Sequence, residues 1–313
     1  MVPLFVLGGL YFAGEFDFGT LGQAQFAFSR VLSSVALIVN RMQGISRFAA
    51  GIARLGVFWD TLETGSRVTA QPADHIAIQE QPPGQGTGVT LHEMTLTTPD
   101  GSRLLIENLT LGLGEGKKKR LLVVGSSGVG KSSVLRGLAG LWTRGHGSIQ
   151  RPEAKSMLFL PQRPYMPLGD LRTQLLYPAE GTLDLGHSDA ELQQILARFG
   201  LGHLPERFEG GFEAVQDWAR VLSLGEQQRL AAARCLVSHP RFIVLDEATS
   251  ALPLHMEQFV YECFDKESSI EGYISVGHRT SLSKYHDIVL EVLGDGKWRT
   301  MTPKEYLKKY SKM

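Results

Sequence analysis

Cysteine is almost absent: Cys235 and Cys263 are the only two in 313 residues. Neither sits in a C-x-x-C, and two thiols cannot build a disulfide framework, so a reducing compartment is expected. An excess of charge is missing too, with 32 basic against 32 acidic side chains. No overall field therefore favours nucleic acid or an anionic surface. The nine histidines are scattered without metal-ligand spacing. Met1–Ala13 does not read as a targeting signal, being apolar without a basic head or an obvious small-residue cleavage site before Glu15. That run is also shorter than the about 20 residues a bilayer-crossing helix takes. It reads as the end of something longer. There is no internal repeat. What is present is an ordinary globular composition, 43% hydrophobic and 20% charged, in a chain long enough for two parts.

Three regions separate along the chain. From Gly19 to about Glu63 runs a mostly apolar, proline-free stretch. Phe28, Val31, Leu32, Val35, Ile38, Val39 and Met42 recur in it at helical spacing. Arg30, Asn40, Arg41 and Arg47 interrupt it, so it would not face lipid over its whole circumference. A helix of this length reaches roughly 67 Å, enough to cross a membrane and continue beyond it. An amphipathic helix packed on a soluble domain fits the same periodicity. From Thr64 to Gly88 the chain turns polar and rich in proline, glycine and glutamine, which is linker chemistry. Beyond it, short apolar runs alternate with helical patterns, as in an α/β domain.

Arg120–Val124 reads as a buried strand running into G-x-x-x-x-G-K-S, and a helix follows with Val134, Leu135, Leu138 and Leu141 on one face. Strand, loop and helix in that order are the context a P-loop requires. The backbone of Gly125, Ser126, Ser127, Gly128, Val129 and Gly130 would wrap phosphates with inward N–H groups, the glycines supplying the conformations. Lys131, Ser132 and Ser133 open the helix, at its positive end. Lys131 would reach the β- and γ-phosphates, and the Ser132 hydroxyl would sit on Mg²⁺. Phe242–Leu245 is a second buried strand and ends in Asp246 and Glu247. An aspartate there suits Mg²⁺, and the next glutamate suits orienting an attacking water.

Between these elements lies Leu222-Ser-Leu-Gly-Glu-Gln-Gln-Arg229, which resembles the signature motif of ABC transporters, with Leu224 where glycine is common. Ser223 and Gly225 precede a helix through Leu230, Ala233 and Val237, so a hydroxyl and free N–H groups form an anion site at its start. The resemblance implies that this site caps the γ-phosphate held by a second chain's P-loop. It also implies that Gln162, in Leu160-Pro-Gln-Arg-Pro-Tyr165, senses Mg²⁺ and water. His278, in Ser275-Val-Gly-His-Arg279, would contact the γ-phosphate. Pro253 stands where aspartate is common in the family. No aromatic base-stacking residue is found upstream of the P-loop, near Thr97–Gly101.

Gly140-Leu-Trp142, Pro161–Met166, Asp217-Trp218 and Gly277–His286 resemble subfamily D. The Leu222–Arg229 stretch is closer to SbmA/BacA-like bacterial uptake proteins. The fold implied is an α/β P-loop ABC-type nucleotide-binding domain over residues 89–313. A linker at 65–88 and the α-helical end of a transmembrane domain at 1–64 would precede it, with most of that domain missing upstream. The activity implied is hydrolysis of ATP with Mg²⁺, powering transport as half of a dimer, with a homo- or heterodimeric second half-transporter as partner. The setting would be a bacterial inner or organellar membrane, with the ATPase on the cytosolic side. The substrate would be fatty acyl, peptide or vitamin-like. Three alternatives stay open: a soluble ABC ATPase, a truncated ATP-binding fragment and a P-loop kinase. The basic cluster Lys117–Arg120 lacks interleaved aromatics and reads as a solvated turn, not a nucleic-acid site.

Overall fold

The computed structural model describes residues 2–15, 17–68, 75–82, 88–114, 120–178 and 186–310. It divides into two compact units, residues 1–72 and 73–313. In the first, α1 (Val2–Phe12) precedes α2 (Phe18–Val68), a helix of 51 residues. The helical reading of Gly19–Glu63 holds, and α2 extends beyond it at both ends. Among the described residues, however, no helix is long and apolar enough to cross a membrane. The physical reason is the recurrence of arginine along α2, at 30, 41, 47 and 54, among polar neighbours. Its apolar side chains stand open to solvent, with Phe26 65%, Phe48 71% and Trp59 69% exposed.

The second unit carries two sheets. Strands β1 (Ala77–Gln81), β2 (Val89–Thr97), β3 (Leu104–Leu113) and β5 (Gly145–Pro152) form one, in the order β1-β5-β2-β3. Strands β4 (Arg120–Val124), β6 (Met157–Leu160), β7 (Phe242–Asp246), β8 (Gly272–Val276), β9 (Ile288–Gly294) and β10 (Lys297–Met301) form the other. Its order is β10-β9-β4-β8-β7-β6, parallel except for the antiparallel edge strand β10. A parallel sheet needs both faces covered, and its strands read accordingly as continuous apolar runs. Alternate residues of β4 serve the two sides: Leu122 and Val124 join one core cluster, Leu121 and Val123 the other.

The residues expected to be a bare linker include β1, which pairs in parallel with β5 from Ala77↔Ser148 to Gln81↔Pro152. Ile76 beside it is fully buried, and that apolar anchor is what draws a polar-looking segment onto the sheet. The remaining linker positions at 69–74 and 83–87 lie outside the described residues.

Helix α3 (Lys131–Ala139) follows β4 and buries Val134, Leu135 and Leu138. It ends at Ala139, two residues before Leu141, the last position of the expected stripe. Gly140 adopts φ 79°, its N–H caps the last carbonyls, and Leu141 lies outside the helix, 75% exposed. The other face of the large sheet is covered by a helical layer. It comprises α4 (Leu171–Leu176), α5 (Asp189–Arg198), α6 (Leu204–Arg207), α7 (Trp218–Val221), α8 (Leu224–Ser238) and α9 (Leu254–Lys266), with α10 (Pro303–Tyr310) at the end of the chain. Capping boxes start α5 at Ser188/Glu191 and α8 at Ser223/Glu226.

Candidate active site

The loops that carry the chemistry leave the C-terminal ends of the parallel strands, where open α/β sheets place their ligands. After β4, the chain turns through Gly125 at φ 149°, Gly128 at φ 77° and Gly130 at φ 110°. Gly125 is required twice over, since a Cβ there would lie 2.4 Å from the Val292 carbonyl oxygen. Val129 is buried in the core between the sheets and pins the loop from beneath. Lys131 is 6% exposed, and its Nζ donates to the Ser126 carbonyl at 2.8 Å. Burial lowers the pKa of this ammonium, while the carboxylates of Glu247 and Asp246 oppose that shift.

Two side-chain pairs close on this loop. The Ser132 hydroxyl donates to Asp246 Oδ1 at 2.7 Å, joining the first turn of α3 to the end of β7. His278 Nε2 lies 2.8 Å from Glu247 Oε1, joining the loops after β8 and β7. Glu247 holds a left-handed backbone, φ 53°, and its N–H donates to Val276 O at 3.2 Å. A non-glycine residue in that conformation is uncommon, and such strain collects at working sites. A cavity of about 330 Å³ is lined by Ser127, Gly128, Gly130, Lys131, Ser132, Ser133 and Glu247, with Thr98, Arg103, Leu105 and Trp142 on its other walls.

Gln162 follows β6, which runs parallel beside β7 with Leu160 opposite Leu245, so it shares this edge of the sheet. Its side chain is exposed, while its backbone carbonyl accepts from Gln228 Nε2 at 2.8 Å. Ser223 and Gly225 are not brought to the P-loop of their own chain: among the described residues, neither shares a hydrogen bond with it. Ser223 caps α8, its hydroxyl donating to Glu226 Oε2 at 2.7 Å and accepting from the Glu226 N–H at 3.3 Å. Pro253 serves as N-cap of α9, its carbonyl accepting from Met256 and Glu257. Lys117, Lys118 and Lys119 lie outside the described residues, and Arg120 is held by Asp287 and Asp265.

Several contributors escape a reading of local motifs. Arg103 Nη1 donates to the Gly128 carbonyl at 3.2 Å, bracing the P-loop from the β2–β3 turn. Gln228, 1% exposed, also donates to Ser250 Oγ at 3.3 Å and accepts from the Ala251 N–H at 3.0 Å. It thereby ties the Gln162 loop to the one after Glu247. Its place in the Leu222–Arg229 motif was the only available signal.

Residues 106–250 match the family described as ABC transporter. The chain is 43% identical over 303 residues to an uncharacterized ABC transporter ATP-binding protein of Synechocystis sp., covering 96% of this chain and 44% of that one. It is 36% identical over 354 residues to ABC transporter D family member 2, chloroplastic, of Arabidopsis thaliana, covering 93% and 49%. Among solved structures, a bacterial Atm1-family ABC exporter with ATP bound superposes with a TM-score of 0.61 over 76% of this chain and 42% of that one. At 24% identity that likeness concerns the fold alone. The chain spans about half the length of the curated relatives it matches. Family match and relatives agree: the chain carries an ATP-binding domain of the ABC transporter family, with residues 106–250 at its centre.

Proposed function

We propose that this domain hydrolyses ATP at a site completed by a second such domain, and that the hydrolysis drives a substrate across a membrane. The observation that carries the reading is the pair of hydrogen bonds at the P-loop, Ser132 to Asp246 and His278 to Glu247. Both pairs flank the position a γ-phosphate takes when the loop's N–H groups hold the phosphate chain. With His278 on one carboxylate oxygen of Glu247, the other orients a water for in-line attack on the γ-phosphorus. The bond to the β–γ bridging oxygen breaks, ADP leaves with the electron pair, and the water proton passes to solvent through Glu247. His278 and Lys131 steady the charge on the γ-phosphate oxygens. A hydroxyl beside a carboxylate is a hard oxygen donor set that suits Mg²⁺ carried on the phosphates. Ser132, Asp246 and Gln162 would hold that ion, which supplies positive charge against the phosphate oxygens.

Ser223 and Gly225 take part from the partner's side. The first turn of α8 offers the N–H groups of Leu224 and Gly225, which no helix bond uses, at its positive end. The many exposed apolar side chains of α2 support a role in joining the domain to a membrane part, because apolar surface on this scale calls for cover. The ATPase then faces the cytosolic side of a bacterial inner or organellar membrane. Homo- and heterodimeric pairing, and fatty-acyl, peptide or vitamin-like cargo, all fit that arrangement.

The shared site is tested by mixing. A Lys131→Ala chain combined with a Ser223→Arg chain places both lesions in one composite site and leaves the other whole. The mixture is expected to hydrolyse ATP faster than either variant alone. If ATP hydrolysis by the unmixed wild-type chain is linear in concentration down to monomer-only conditions, the reading fails.

A further inference from the structure

Glu247 and His278 lie in separate loops after neighbouring strands, joined at the strand ends by the bond from the Glu247 N–H to the Val276 carbonyl. A buried carboxylate on α9 connects the two. Glu257 is 2% exposed. Its Oε1 accepts from the Thr249 hydroxyl at 2.8 Å, and its Oε2 from Arg279 Nη1 at 3.2 Å. Arg279 Nη1 also donates to the Leu252 carbonyl at 2.9 Å, and its Nη2 to the Ser250 carbonyl at 3.1 Å. Arg279 directly follows His278, and Thr249, Ser250 and Leu252 lie two to five residues after Glu247. One guanidinium thus spans both loops, over a cavity of about 220 Å³ that Glu247 and His278 also line.

We propose that Glu257 and Arg279 are positioning residues for hydrolysis, clamping the two loops so that His278 stays within hydrogen-bond reach of Glu247. The proposal rests on the reading of Glu247 as the residue that orients water. A guanidinium suits the task because its planar fork offers several donors in fixed directions, which an ammonium cannot do. Glu257 supplies the fixed point. Without its charge, an arginine whose side chain is 40% exposed would be free to turn to water, and the grip on Ser250 and Leu252 would be lost. The buried Glu257 Oε2 in turn has the Arg279 Nη1–H as its hydrogen-bond donor.

The experiment uses the full chain with Arg279→Lys and Glu257→Gln. Arg279→Lys leaves a cation beside the buried carboxylate, and Glu257→Gln keeps an acceptor for Thr249, so each is chosen to fold. Each is expected to lower kcat by about tenfold or more while ATP affinity stays within about twofold, as for lost geometry without lost binding. A carboxylate only accepts, so His278 carries its proton on Nε2 when bonded to Glu247. The imidazole ¹⁵N spectrum should shift from that single tautomer to a mixture in both variants. In a His278→Ala background, Arg279→Lys should add less than about twofold, because the two act as one unit. Multiplying losses, or an unchanged His278 spectrum, would overturn the clamp. Glu247→Gln is measured alongside. Wild-type turnover there removes the reading of the site, while the ring spectrum still judges the clamp. Loss in Glu247→Gln with full turnover in Arg279→Lys overturns the clamp alone.

Discussion

Glu247 and Lys131 line the same cavity but should fail differently when changed. Glu247→Gln keeps the shape and the Lys131 contacts, so ATP binding should persist while turnover falls by about tenfold or more. Lys131→Ala removes a cation from beside the phosphates, so affinity itself should drop. Binding of a fluorescent ATP analogue and steady-state phosphate release separate the two. Equal affinity in wild type and Lys131→Ala would mean that Gly125–Ser132 is not the cradle. Lys131 was legible because a phosphate cradle needs its groups contiguous, with three glycines, a lysine and a hydroxyl within one loop. Glu247 was legible because it follows Asp246 at the end of a buried apolar strand. Arg103, Gln228, Glu257 and Arg279 were not legible as a network. Each acts on a partner distant in the chain, such as Glu257 on Arg279, 22 positions away, and only tertiary packing creates the pair.

At the scale of elements, β4 and β7 were readable from their apolar runs and α8 from its cap. The end of α3 and the fate of residues 75–82 were not. Leu141 continues the helical period, yet Gly140 ends the helix, so periodicity alone overshot. Ile76 and Ile78 are too few to outweigh polar neighbours on paper, though they suffice to anchor β1. The segment joining β8 to β9 carries a testable consequence of burial. His286 packs edge-on to Tyr261 of α9 and Tyr273 of β8, and one ring nitrogen is bonded to the Leu282 carbonyl. Burial pushes its pKa down to about 4, helped by Arg120 and opposed by the Leu282 bond and Asp287. The unfolded chain keeps an ordinary value near 6.5 and so binds the proton more readily between these limits. Stability is therefore full above about 6.5 and falls as the pH drops toward 4, by about 3 kcal/mol at most. Urea midpoints should decline between pH 7 and pH 4.5, and decline less in His286→Gln. Identical slopes in the two proteins would mean that another group carries the acid sensitivity.

For the molecule as a whole, the proposal that Ser223 serves the partner's P-loop makes a geometric demand. Ser127→Cys and Ser223→Cys should crosslink between chains when ATP is bound, since a disulfide needs Cα atoms within about 7 Å. Cys235 is fully buried and Cys263 is 4% exposed, and burial raises both thiol pKa values, so the native cysteines can remain in place. Crosslinks confined to one chain, or indifferent to ATP, would refute the shared site. The order of strands in the large sheet has one more consequence, measured in time. Strand β4, which aims the P-loop, is paired among the described residues with β8 and β9, with Leu121 set between Ile274 and Ile288. Arg120 and Asp287, which close that seam, stand 167 positions apart. A ribosome needs roughly 10 to 30 s to cover such a stretch. Throughout that interval the P-loop sequence exists without the strands that hold it open. Ribosome-bound chains stalled before Gly272 should not retain a fluorescent ATP analogue, whereas chains extended past Tyr310 and clear of the exit tunnel should. Nucleotide capture should thereby wait until the last strands emerge, so that an interrupted translation product is expected to leave ATP unbound.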